Sequence, residues 1–119
     1  MKLTRSVKSN MPERSRYIQI ITTTEKKEDA ERIAETLVEQ RLAACVQIIG
    51  PISSVYRWKG RIERTGEYLC LIKSRNDLYE RIEKAIKEIH PYEVPEIIVV
   101  PITKTSSDYL AWLDEETKE

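Results

Sequence analysis

Apolar and polar positions change their period along the chain, and the changes mark the elements. From Tyr17 to Thr23 the β-branched residues Ile18, Ile20 and Ile21 run into a threonine stretch, which reads as a strand. Thr24 is the predicted N-cap of a helix over about residues 25–41, with Glu28 and Asp29 in or near its first turn and Ala30, Ile33, Ala34, Leu37, Val38 and Leu42 at helical spacing. Residues 44–59 read as a long strand carrying Val46, Ile48, Ile49, Ile52, Val55, Tyr56 and Trp58, with a bulge or bend predicted at Gly50–Pro51. Lys59–Gly60 is a turn signal, and a second strand returns over 61–74 with Tyr68, Leu69, Cys70, Leu71 and Ile72 as its apolar part and a further irregularity predicted at Gly66. Asn76 and Asp77 are placed to cap a second helix, Asp77 and Glu80 as a capping box, with Leu78, Ile82, Ala85, Ile86 and Ile89 as its buried stripe and Pro91 as its stop. Val94 to Ile102 is a strand whose run Ile97–Val100 suits burial on both faces. Thr105 or Ser106 caps a short last helix with Tyr109, Leu110, Trp112 and Leu113.

The order strand, helix, strand, strand, helix, strand is the split βαβ pattern, an α+β fold. Right-handed crossovers give a four-stranded antiparallel sheet with both long helices on one face. The other face is then bare and exposes several of Val46, Ile48, Tyr68, Cys70, Ile72, Ile98 and Val100, depending on register. A row of wet aliphatic side chains is costly, since each buried one contributes ~1.5–3 kcal/mol, and such a patch marks an interface. Strands of about 15 residues reach roughly 50 Å, while helices of that length cover only roughly 23 Å. The hairpin therefore overhangs its helices and carries Val55, Tyr56 and Trp58 at its tip. Both arguments predict an obligate closed oligomer.

The chain has 119 residues, 40% of them hydrophobic, which suits one domain and one core. Its 20 basic and 20 acidic residues cancel, which argues against a nucleic-acid partner. No apolar run approaches the ~20 residues a membrane span needs. No N-terminal stretch has the apolar centre of a signal peptide, so a cytoplasmic protein is expected. The two cysteines, Cys45 and Cys70, are too few for a disulfide scaffold and sit among apolar neighbours, as core residues do. The charge is concentrated at one end: residues 1–16 hold Lys2, Arg5, Lys8, Arg14 and Arg16 against Glu13, with no hydrophobic period. This stretch is read as a disordered basic tail, and 17–119 as the single folded domain.

Catalysis finds little support. Three glycines cannot build a phosphate-binding loop, and no serine or cysteine has a histidine beside it. The densest set of polar donors is His90-Pro91-Tyr92-Glu93-Val94-Pro95-Glu96. Two prolines stiffen it, and His90, Glu93 and Glu96 are candidate ligands for a divalent cation such as copper or zinc. The structural alternative has His90 capping the preceding helix with its partial positive charge and the two glutamates bonding to backbone or to Lys73 and Arg57. Tyr56, Arg57, Trp58, Lys59 and Lys73 are candidates for an anion-binding groove, or for packing of the hairpin tip against another chain.

Four segments carry a resemblance: Leu42-Ala43-Ala44-Cys45-Val46-Gln47-Ile48, Ser54-Val55-Tyr56-Arg57-Trp58-Lys59-Gly60-Arg61-Ile62-Glu63, His90 through Ile97, and Asp108-Tyr109-Leu110-Ala111-Trp112-Leu113. Together they resemble the CutA family of divalent-cation tolerance proteins, over about residues 17–114. The resemblance implies a ferredoxin-like subunit, a homotrimer, a cytoplasmic location, an architecture related to PII signalling regulators and a role in copper tolerance with no established enzyme reaction. The family's proposed copper ligands fall on Thr22, Ile89 and Glu96, of which only Glu96 matches. Three expectations follow: a homotrimeric metal-response protein with a divalent cation near His90, Glu93 and Glu96; a PII-like module holding a small anionic ligand between subunits at Trp58, Lys73 and Tyr92; and a structural trimer that binds other proteins, through its basic tail.

Overall fold

The computed structural model describes residues 16–118; apart from Arg16, the basic stretch expected as a tail lies outside the described residues. The elements are β1 (Tyr17–Thr24), α1 (Lys27–Glu39), β2 (Cys45–Trp58), β3 (Arg61–Arg75), a 3-10 turn (Asn76–Leu78) leading into α2 (Tyr79–Ile89), β4 (Ile98–Pro101) and α3 (Ser107–Glu116). The strands form one sheet in the order β2-β3-β1-β4, with every neighbouring pair antiparallel. This is the ferredoxin-like α+β architecture with a long β2–β3 hairpin and a short C-terminal helix.

Several boundaries differ from the sequence expectation, each for a local reason. Thr24 stays in β1, paired with Tyr68, and its hydroxyl donates to the Lys26 carbonyl at 2.8 Å. The cap of α1 falls instead on Lys26, which makes no side-chain cap bond. Asp77 forms no capping box, because its carboxylate takes the Arg75 guanidinium at 3.3 Å and the cap falls on Leu78. Ser106 does cap α3, accepting from the Tyr109 amide at 3.3 Å. Gly66 sits opposite Ser53 in regular register, so no irregularity arises there. The predicted bulge is present: Ile49 faces Leu69 and Ile52 faces Glu67, so Gly50 and Pro51 together answer Tyr68. The Gly50–Pro51 peptide is cis. A Cβ on Gly50 would lie 2.5 Å from Tyr68 Cδ2 and 3.0 Å from the Glu67 carbonyl, so only glycine fits this crossing. At the tip, Lys59 (φ 50°) and Gly60 (φ 80°) both take left-handed backbone, the requirement of a tight two-residue hairpin turn.

The core lies on one face. Ile18 and Ile20 of β1 and Cys70 and Ile72 of β3 meet Ala30, Ile33 and Leu37 of α1 and Ile82 and Ile86 of α2, all fully buried. Because paired residues share a face, Val46 (opposite Ile72) and Ile48 (opposite Cys70) also point to the helices. Of the residues expected on the bare face, Val46, Ile48, Tyr68, Cys70 and Ile72 therefore belong to the covered one. Ile98 and Val100 do lie on the open face, 49% and 41% exposed, so β4 is not buried on both sides within this chain. Ile21, Ile49, Leu69 and Leu71 join them by register.

The C-terminal part of α3 is tied over one end of that open face. Tyr17 Oη donates to Asp114 at 3.0 Å, and Arg75 donates to the Thr117 carbonyl at 3.1 Å. Arg41 donates to the Glu115 and Lys118 carbonyls at 2.8 and 2.6 Å, a cation at the C-terminal end of the helix. At the other end β1 reaches only residues 68–75 of β3, so among the described residues the hairpin beyond Tyr68 has no third strand. Val55, Tyr56, Trp58 and Ile62 are exposed on it.

Candidate functional site

Pro91 stops α2, and residues 90–97 pass the end of β1 to reach β4. His90 pins this passage. Its ring Nε2 lies 2.7 Å from the Thr23 carbonyl, and its Nδ1 accepts the Tyr92 amide at 3.2 Å. A carbonyl only accepts and an amide N–H only donates, so this pattern describes a neutral imidazole with hydrogen on Nε2 and both nitrogens engaged. Burial pushes its pKa below the usual 6.5, outweighing the Thr23 bond and the charges of Asp29 and Glu67. His90 is thus a buried hinge pin rather than a charged cap.

The Tyr92 ring lies 4.7 Å from the His90 ring, and its hydroxyl donates to Glu67 Oε2 at 2.6 Å. Burial first, then this bond and the Glu67 charge, push the Tyr92 phenol pKa upward. Glu67 itself is only 5% exposed. Around this pair opens a cavity of about 540 Å³ with three kinds of wall. Tyr56, Trp58 and Tyr92 supply aromatic surface; Glu67, Glu93 and Glu96 supply carboxylates; Thr23, Ser54, Val55 and Val94 fill the remainder. The Glu96 carboxyl is raised above the usual carboxylate range by burial and then by the nearby Glu67 charge. At the mouth, Lys59 Nζ sits 3.7 Å from Glu93 Oε1 and 5.5 Å from the centre of the Trp58 ring.

The structure sorts the residues singled out from the sequence. Glu93, Glu96, Trp58 and Tyr92 line one cavity. His90 stands behind its wall, with both ring nitrogens in use. Lys73 is absent from the lining; its ammonium donates to the Gln47 side chain. Within one chain, Trp58 and Tyr92 therefore share a cavity that Lys73 does not line. Among the described residues no group of three or more His, Cys, Asp or Glu converges in a way that could hold a metal ion, so within one chain His90, Glu93 and Glu96 do not fit a coordination sphere. Thr22, at a position expected to ligate copper in relatives, is fully buried with its hydroxyl unpartnered. Glu67 escaped the sequence reading. Its one signal is an acidic residue interrupting the apolar second half of a strand, directly across from a predicted bulge.

A ferredoxin-like subunit with one unfinished sheet face and a carboxylate-lined aromatic cavity describes a binding protein in class. The chain belongs to the CutA1 divalent ion tolerance protein family, whose model matches residues 18–116. It is 41% identical over 98 residues to the divalent-cation tolerance protein CutA of Thermus thermophilus, covering 82% of this chain and 95% of that one. It is 42% identical over 89 residues to mouse protein CutA, covering 75% of this chain but only 50% of the mouse protein. The solved Thermus thermophilus Cut A1 structure superposes with a TM-score of 0.83 at 39% identity, covering 86% of this chain and 99% of that one. The family is named for tolerance of divalent ions rather than for a reaction. No helix among the described residues is long and apolar enough to cross a membrane.

Proposed function

We propose that this protein supports divalent-cation tolerance as a cytoplasmic, non-catalytic homotrimer that collects a cation such as copper or zinc at the cavity beneath its hairpin. The observation that carries this reading is electrostatic: among the described residues, every charged side chain lining the cavity is a carboxylate. Glu93 and Glu96 face the cation at the mouth, and His90 holds the connection that presents them. One chain offers too few converging ligands, so donors from a neighbouring copy complete the site. The exposed Ile49, Ile98 and Val100 favour such a neighbour, because a second copy removes them from water. The two unpaired cysteines suit a reducing compartment.

Calorimetric titration with zinc and with copper tests the reading. A Glu93→Gln, Glu96→Gln double variant is expected to weaken binding about ten-fold or more, as loss of two anionic ligands predicts. Unchanged affinity in the variant overturns the assignment. Sedimentation velocity of the same samples reports the assembly.

A further inference from the structure

Lys59 already shows what the cavity mouth receives. Its ammonium rests over the Trp58 ring at 5.5 Å and against Glu93 at 3.7 Å, and the side chain is 69% exposed, so solvent can draw it away. An aromatic face beside a carboxylate is the recognition chemistry of an organic ammonium. The same pairing recurs deeper in the cavity, where Tyr56 and Tyr92 accompany Glu67, and among the described residues no Lys or Arg lines the wall to answer it. Glu67 is buried with the neutral Tyr92 hydroxyl as its hydrogen-bond partner, so a carboxylate is held in low-dielectric surroundings without a cation beside it.

We propose that the cavity binds a short aliphatic diamine, one ammonium replacing Lys59 between Trp58 and Glu93 and the other reaching Glu67 between Tyr56 and Tyr92. The size agrees: about 540 Å³ far exceeds a single ion and falls in the usual small-molecule range of ~300–1,000 Å³. The aromatic wall agrees too. It adds nothing to the coordination of a metal ion, which needs converging N, O or S donors, but stabilises a weakly hydrated organic cation. An anionic ligand would meet Glu67, Glu93 and Glu96 as the charged groups of the described wall. The inference goes beyond the divalent-cation reading, because it rests on the aromatic surface and on Lys59, which that reading does not use.

The test is calorimetry of the full chain with 1,4-diaminobutane in excess chelator, so that divalent metal plays no part. Saturable binding is expected, with butylamine weaker because it fills one end only. Glu67→Gln is expected to weaken the diamine about ten-fold, the loss of one charge-assisted contact. Lys59→Asn, which keeps a residue tolerant of left-handed backbone, is expected to tighten it about three-fold by removing the internal competitor. If Glu67→Gln does not fold by circular dichroism, Glu93→Gln carries the same test at the other end of the diamine from an exposed position of the wall. Absence of saturable binding, weaker binding in Lys59→Asn, or no change in the carboxylate variants overturns the proposal. Zinc titration of the same preparations separates the two readings: intact zinc binding with no diamine binding removes this inference alone.

Discussion

The two faces of the sheet are built from similar residues and reach different ends. On the helix side Ile18, Ile20, Cys70 and Ile72 are sealed by α1 and α2, and nothing further is needed. On the other side Ile21, Ile49, Leu69, Leu71, Ile98 and Val100 form a comparable apolar surface, and α3 is tied down only at its Tyr17–Arg75 end. The contrast teaches that one chain encodes two hydrophobic layers but supplies cover for one. The first layer makes the fold. The second, by our reading, makes the assembly.

Substitutions that treat the faces alike break or sharpen this contrast. Ile82→Ala, which empties a fully buried site under the sheet, is expected to cost about 2–5 kcal/mol in urea unfolding, independent of protein concentration. Val100→Asp on the open face is expected to leave the far-ultraviolet dichroism intact while shifting sedimentation to smaller species. Unchanged sedimentation there would mean the open face is not an interface.

A milder contrast concerns pH. Folding lowers the His90 pKa below 6.5, so the unfolded chain binds the proton more readily. The stability this contributes is present above about pH 6.5 and is lost as pH falls from there toward the folded value, with a slope no steeper than about 1.4 kcal/mol per pH unit. His90→Gln is expected to flatten that slope in unfolding curves collected between pH 7 and 5; a slope that persists would place its origin elsewhere. The smallest effect is expected at Thr22, on the covered face. Thr22→Val removes a buried hydroxyl that has no partner, and thermal melts are expected to show a change between none and a gain of about 1 kcal/mol. A clear loss would mean that hydroxyl is satisfied in solution.

The element order, the hairpin, its bulge and the Lys59–Gly60 turn were legible in the chain because each has a local signal in period or turn chemistry. Which residues face which layer was not. Alternation identifies a covered face only where the other is polar. Here Thr22 and Ser74 sit on the core side while Ile21, Leu69 and Leu71 sit on the open one, so composition misleads. The cavity was half legible. The run from His90 to Glu96 announced itself by its prolines and donors, and Trp58 and Tyr92, singled out from the sequence, line the same cavity. Glu67 and the neutral, doubly bonded state of His90 were not readable, because both arise from partners far away in sequence: Tyr92 for the first and Thr23 for the second. The partner of Lys73 was not readable either; its ammonium donates to Gln47 on the neighbouring strand β2.

The one-residue surplus at Gly50–Pro51 has an outcome for the hairpin tip. Before it, even-numbered residues of β2 share a side with Cys70 and Ile72; after it, Ile52, Ser54, Tyr56 and Trp58 share a side with Glu67. The surplus acts as a phase inverter for the ribbon. Deleting Pro51 would leave Gly50 alone opposite Tyr68 and Ile52 still opposite Glu67, so Tyr56 and Trp58 would keep Glu67's side while the bend and added twist of the bulge are lost. The surplus residue thus sets how the aromatic tip is aimed over the buried charge, while the pairing beyond it sets which side the rings take.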